Sequence, residues 1–103
     1  MAKTVDTIEM DFRNAKRQAD ELEQIAQNLK TLSEGRAQTC LFEVAASWKG
    51  ENASAFCKKG AAACSHIENS ANDLKNAADA LRRIAANLYE AEMKNYETAR
   101  NRE

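Results

Sequence analysis

The most chemically versatile side chains in this sequence are three cysteines, Cys40, Cys57 and Cys64, and a single histidine, His66. Thiolate and imidazole groups are the usual ligands of zinc, and side chains on one helix share a face at spacings of three or four residues. Cys64 and His66 are two residues apart, so a helix would point them to different sides. The pattern gives little support for a metal site, and we expect no cofactor.

Disulfide chemistry has equally little support from the cysteine spacing. An odd number of cysteines argues against a closed set of intrachain bridges. Cys57 and Cys64 share a helical face, but seven helical residues span about 10 Å, whereas a disulfide needs Cα atoms within about 7 Å. We expect three buried or half-buried thiols. A redox, metal or interchain-disulfide role is the alternative.

The sequence contains no catalytic constellation. No nucleophile stands beside a placed base, and no glycine-rich loop could hold a phosphate. The charged groups, among them Asp20, Glu21, Glu23, Lys58-Lys59 and Arg82-Arg83, are spread as on solvated helix faces. We therefore expect a protein that is not an enzyme.

The overall charge and hydropathy also exclude classes of partner. Fifteen basic and 16 acidic residues leave a net charge of -1, which gives no electrostatic basis for nucleic-acid binding. No apolar run reaches the roughly 18 residues of a membrane span. We expect neither nucleic-acid binding nor stable membrane insertion.

The first half of the chain has the apolar pattern of one long helix. The chain contains no proline and only three glycines, so it has few places to turn. We predict a helix over about 4–46, capped by Thr4 or Asp6, with Gly35 as a place where a kink could form. Apolar residues recur every three or four positions at Val5, Ile8, Phe12, Ala15, Ala19, Leu22, Ala26 and Leu29.

The second half has a more regular heptad pattern. Its larger apolar residues are spaced by seven, at Ile67, Leu74, Leu81 and Leu88. Small residues occupy the neighbouring helical position at Cys64, Ala71, Ala78 and Ala85, where they permit close approach of another helix. We predict a helix over about 52–98, followed by a frayed, exposed tail.

These two helices predict an all-α fold, a two-helix antiparallel hairpin that forms a single domain over residues 1–103. The turn falls at 47–51, where Gly50 can take a positive φ. An isolated hairpin of this size has a thin core, so we expect it to dimerise into a four-helix bundle. The residues predicted to form the hairpin or dimer interface are Ile67, Leu74, Leu81, Leu88, Leu22 and Leu29.

Trp48 is an unusual residue for a turn, because it brings a large apolar surface to a place that is normally polar. One interpretation is structural: the indole caps the end of the bundle by packing over Phe42, Val44 or Phe56. The other is functional: the indole is partly exposed and docks into a partner. Both roles are compatible.

The segment around Trp48-Lys49-Gly50, followed by small residues and Phe56, resembles the WXG family of type VII secretion substrates. The resemblance covers nearly the whole chain and depends on length, turn position and flanking heptads together. The segment Ile84–Glu92 is also similar to the ending of Gram-positive members. The turn residues that carry the likeness, and that the family would use for partner binding, are Trp48 and Gly50.

The resemblance implies a partner-dependent, exported protein. Family members are helical hairpins that pair as homodimers or heterodimers, and many escort toxins or act in virulence or interbacterial competition. The implied partners are a second copy, a related small helical protein or a larger LXG-type toxin, together with an FtsK/SpoIIIE-type secretion ATPase. Members are cytoplasmic before export and are secreted without a cleaved signal peptide. The first residues here contain no apolar stretch of roughly 7–15 residues, so we expect no such peptide.

The C-terminal region departs from the family pattern. Many members carry an export signal Tyr-x-x-x-Asp/Glu, whereas Tyr89 and Glu92 are only three apart, and Tyr96 is followed four residues later by Arg100. Tyr89 and Glu92 are thus candidates for a looser signal, or the chain relies on the signal of a partner.

Two other functions are alternatives: a cytosolic coiled-coil adaptor unrelated to secretion, and a thiol- or metal-dependent binding protein that uses Cys57, Cys64 and His66.

Overall fold

A computed structural model describes residues 3–47 and 50–102. Four helical elements account for nearly all of this part of the chain: α1 (Val5–Leu32), a π-turn (Ser33–Ala37), α2 (Gln38–Ser47) and α3 (Glu51–Asn101). The described residues contain no strand. The prediction of an all-α protein is confirmed.

Local capping explains where the long helices begin. Thr4 Oγ1 accepts a hydrogen bond of 3.3 Å from the Thr7 amide, which satisfies a backbone donor in the first turn of α1. Gly50 precedes α3 with a φ of 119°, a conformation that L side chains rarely adopt. Its carbonyl accepts the Ser54 amide at 3.1 Å. Trp48 and Lys49, the other residues of the predicted turn motif, lie outside the described residues.

Two helix boundaries differ from those expected from the sequence. The predicted helix over 4–46 is interrupted not by a kink at Gly35 but by the π-turn, Ser33–Ala37. A π-turn closes each hydrogen bond over one more residue than an α-helix does, so it inserts one residue into the helical repeat. At the other end of the chain, α3 continues to Asn101, past the predicted end near residue 98.

The first of two compact units consists of the described residues of Met1–Leu22 and Asn76–Glu103. Its two segments run in opposite directions, since Lys3 contacts Glu92 whereas Asp20 contacts Arg82. Alanine predominates among its buried apolar side chains, which are Ile8, Ala19, Ala78 and Ala85. Alanines let two helix backbones approach closely, but they bury little apolar area.

The second unit, Glu23–Lys75, is also built on small side chains. Its buried residues are Ala26, Ser33, Ala53, Cys64 and Ala71. Gly60 belongs to the same pattern, because a Cβ at this position would overlap the Leu41 side chain. In each unit we call the line of small buried residues the seam.

Over residues 3–47 and 50–102, no helix combines the length and the apolar character that crossing a bilayer would require.

Candidate functional site

The seam of the first unit leaves large apolar side chains outside it. Leu81, Ile84 and Leu88 follow one another at spacings of three and four, so they share one face of α3. Leu81 is half-buried, whereas Ile84 and Leu88 are 59% and 52% exposed. We call this set the 81–88 stripe. It presents apolar area that the unit itself does not cover.

The second unit has a comparable set on α1, which we call the 25–32 stripe: Ile25, Leu29 and Leu32. Their spacings of four and three place them on one helical face. Leu29 is half-buried, and Ile25 and Leu32 are exposed. Each unit thus carries an uncovered apolar face of the kind that packs against another helix.

The six residues predicted as an interface lie beside the seam rather than within it. Five of them, Leu22, Leu29, Ile67, Leu74 and Leu81, are half-buried, and Leu88 is the most exposed. The fully buried positions are the small residues next to them on the helical wheel. This arrangement leaves much of the predicted interface available to a further helix.

Aromatic side chains are also exposed in the second unit. Phe42 is 81% exposed on α2, which contains no buried residue. Phe56 is 49% exposed and lines an open groove of about 370 Å³ together with Cys40, Glu43, Val44 and Ser47. This groove is a second apolar feature, separate from the 25–32 stripe.

Tyr89 and Glu92, the candidate export-signal residues, both contact the N-terminal part of the chain. The Tyr89 ring stacks on Phe12 with centroids 4.7 Å apart and planes inclined by 25°. Lys16 Nζ lies 5.3 Å from the Phe12 centroid, within the range of a cation–π contact. Glu92 Oε1 accepts a hydrogen bond of 3.0 Å from Lys3. In this structure both residues therefore help to hold the first unit together.

Lys3 joins two carboxylates across the first unit. Its ammonium donates to Asp11 at 2.9 Å and to Glu92 at 3.0 Å. The hydrogen bond to Asp11, and then the one to Glu92, raise the pKa of Lys3 above its usual value. The amine is exposed, so solvent screens these pairs and keeps their contribution to the free energy of unfolding small.

Arg82 makes a similar connection in the same unit. Its guanidinium donates to Asp20 at 2.8 Å and to Asp79 at 3.1 Å. A guanidinium presents several donors in a fixed plane, so one side chain can hold two carboxylates at defined angles. The contact with Asp20 joins α3 to α1, and the contact with Asp79 holds the arginine side chain in place along its own helix.

Ser33 is a buried polar residue whose importance the sequence did not reveal. Its hydroxyl donates to the Cys64 carbonyl at 3.0 Å and lies 3.4 Å from Glu68 Oε1. A buried hydroxyl needs such a partner to offset the loss of water. Its spacing of seven from Ala26 was the available signal that Ser33 continues the seam.

The thiols and the histidine lie in different environments. Cys57 is half-buried and Cys64 is buried, as expected, but Cys40 is exposed, so the expectation of a buried or half-buried thiol is wrong there. His66 is exposed. Within the described ranges, 3–47 and 50–102, no three His, Cys, Asp or Glu side chains are grouped so that they could hold a metal ion. Of the predicted turn residues, Gly50 has the positive φ described above, and Trp48 lies outside the described residues.

Comparison of the chain with protein-family models, with curated proteins and with solved structures finds no match.

Proposed function

We propose that this chain is a non-enzymatic helical interaction protein of the WXG kind, exported by a type VII secretion system or escorting a toxin through one. Two kinds of observation support the proposal. The sequence combines a Trp48-Lys49-Gly50 motif with heptads on both sides. The structure leaves large apolar side chains exposed beside seams of small residues.

The architecture that we propose is an antiparallel hairpin of two helices that pairs into a four-helix bundle. Its strongest support is the exposure of Ile84 and Leu88 in the 81–88 stripe. Apolar residues at a/d-type spacing on an exposed helix face gain free energy when a second helix covers them. The second copy of this chain, a related small helical protein or an LXG-type toxin are the partners that this surface would accept.

The export route follows from the resemblance, and a secretion experiment tests it. In the source organism, the gene for the FtsK/SpoIIIE-type ATPase is deleted, and the culture medium and cells are blotted for this protein. We expect the protein to disappear from the medium and to accumulate in the cells. A protein exported through a signal peptide serves as the control and should remain in the medium. Export that continues without the ATPase, or no export from wild-type cells, contradicts the proposal.

Replacing Trp48 distinguishes a structural role of this residue from a functional one. We expect Trp48→Ala to reduce export or partner binding more than it reduces the melting temperature, because a docking indole acts mainly in the complex. Circular dichroism measures the melting temperature, and quantitative blotting measures export. A large loss of melting temperature with normal export would assign Trp48 to the packing of the chain instead.

The second candidate function is a cytosolic coiled-coil adaptor that uses the same surfaces. The exposed 25–32 and 81–88 stripes would serve such a protein equally well, so the surfaces alone do not separate the two functions. The ATPase deletion does separate them: an adaptor remains in the cells of both strains, and it still forms its complex there.

A further inference from the structure

The seam of the second unit points to a second register for α2. Ala26 on α1 and Ser33, the first residue of the π-turn, are buried and seven residues apart, and the next residue at this spacing is Cys40. On α3, Ala71 and Cys64 are buried at the same spacing, and the residue seven before Cys64 is Cys57.

An uninterrupted α-helix would therefore bring Cys40 and Cys57 together. Seven residues make about two turns, so each series stays on one face of its helix. Ser33 and Cys64 meet across the seam, with the serine hydroxyl 3.0 Å from the cysteine carbonyl. One heptad further along the two opposed helices, the facing pair is Cys40 with Cys57.

The π-turn prevents this pairing. By inserting one residue after Ser33, it rotates α2 by about 100° relative to a continuous helix. Leu41 then occupies the position at the seam: its side chain lies against Gly60, and its carbonyl is 3.9 Å from Cys57 Sγ. Cys40 is turned outward and is exposed.

We propose that the π-turn is a register switch that a disulfide can lock. In the register described above, Leu41 covers Gly60 and Cys40 is outside. When the π-turn straightens, α2 rotates, Leu41 leaves Gly60 and Cys40 faces Cys57. The sequence suits both registers for two reasons. Ala37 and Val44 can face the seam in either register. The seam position that Leu41 fills in one register and Cys40 in the other lies opposite Gly60.

The locking step is a thiol–disulfide exchange with a small disulfide such as oxidised glutathione. The Cys40 thiolate attacks this oxidant, forms a mixed disulfide and releases one reduced glutathione. The Cys57 thiolate then displaces the second glutathione and forms the intrachain bond. The two protein thiols lose two protons and two electrons, and the oxidant is reduced to two thiols. The bond can form only while the two Cβ atoms are within about 4.5 Å.

The test measures disulfide formation in the purified full-length chain treated with oxidised glutathione well below its melting temperature. Intact mass reports the loss of two hydrogens, and a non-reducing tryptic map assigns the bond. Trypsin places each cysteine on its own peptide, 37–49, 50–58 and 60–75. We expect a Cys40–Cys57 bond in the monomer, lost in Cys40→Ser and in Cys57→Ser and retained in Cys64→Ser.

Two variants shift the switch in opposite directions. Gly60→Ala places a Cβ where the Leu41 side chain now lies, so it should populate the second register and accelerate the bond about tenfold. Deletion of Gly35 removes the inserted residue, so a continuous α-helix then places Leu41, and not Cys40, at the seam. It should slow formation of the Cys40–Cys57 bond at least about tenfold. In that variant the mixed disulfide at Cys40 should accumulate, which shows that the thiol is still reactive.

Several results would overturn the proposal. In an unfolded chain, Cys40 would form a disulfide with Cys64 about as readily as with Cys57. Comparable yields of these two bonds therefore contradict a register switch. A Cys40–Cys40 bond between two chains, or glutathione that stays on Cys40 in the wild type, shows that Cys40 remains outside. Equal rates in the wild type, Gly60→Ala and the Gly35 deletion show that the π-turn does not control the reaction.

Discussion

Replacing Ile84 and Leu88 together with serine should separate a paired form of this protein into single chains. Both side chains are more than half exposed in the single chain, so their replacement removes little packing within the first unit. A partner that covers the 81–88 stripe would bury the remaining area, and serine at both positions removes that gain.

The magnitude follows from the exposed fraction of the two side chains. Complete burial of a leucine or isoleucine contributes about 1.5–3 kcal/mol. With 59% and 52% of these side chains exposed, the two together have about 1.5–3 kcal/mol still to gain in each copy. In a symmetric dimer both copies bury this stripe, which gives about 3–6 kcal/mol in total. Losing this free energy in the double variant raises the dissociation constant by roughly 10²–10⁴-fold.

Sedimentation velocity over a concentration series measures this dissociation constant directly. Asn87→Ser is the matched control, because residue 87 is exposed on the same helix and carries no apolar area; we expect it to leave pairing unchanged. A wild-type chain that sediments as a monomer contradicts pairing through the 81–88 stripe. An unchanged dissociation constant in the double variant does so as well, and so does an equal change in the control.

Three further changes probe the interior and the charges. Ala78→Leu should destabilise the chain by about 1–3 kcal/mol, measured by urea unfolding, because Ala78 is fully buried and the extra volume forces the helices apart. Ser33→Ala should cost about 0.5–1.5 kcal/mol in the same assay, since the buried hydrogen bond from the Ser33 hydroxyl to the Cys64 carbonyl is lost; an unchanged midpoint contradicts this role. Lys3→Met should lower stability at neutral pH, and its difference from the wild type should vanish as pH rises through the raised pKa of the amine, above its usual 10.5. Persistence of that difference at higher pH would exclude the ion pairs as its cause.

Helical periodicity was sufficient to predict the helices and their apolar sides, but not which positions on each side would be fully buried. The large residues Leu74 and Leu81 define the apolar side of α3, yet the seam is formed by Ala71 and Ala78. Large residues dominate any hydrophobic pattern, whereas the approach of two backbones depends on the smallest side chains. The large and the small residues lie on adjacent faces of the helix. The sequence alone therefore indicates which side of the helix is buried, but not which of the two faces lies at the centre of the contact.

The π-turn could not be predicted for a related reason. The apolar pattern weakens at Ser33-Glu34-Gly35, and the glycine favours a kink there. The informative signal was instead the spacing of the residues that follow. Leu41 lies eight residues after Ser33, one more than the heptad allows. The structure accommodates this extra residue in the π-turn, which leaves Leu41 against Gly60.

Seams made of alanine also determine when the chain loses conformational entropy. Alanine has no side-chain rotamers to lose, so bringing Ala78 or Ala71 into a seam restricts the backbone alone. The rotamers of Ile84 and Leu88 stay free while these side chains are exposed. Fixing each of them costs about 0.5–1 kcal/mol, and this cost falls on association with a partner. A partner with rigid side chains would therefore bind more tightly than a flexible one with the same apolar area.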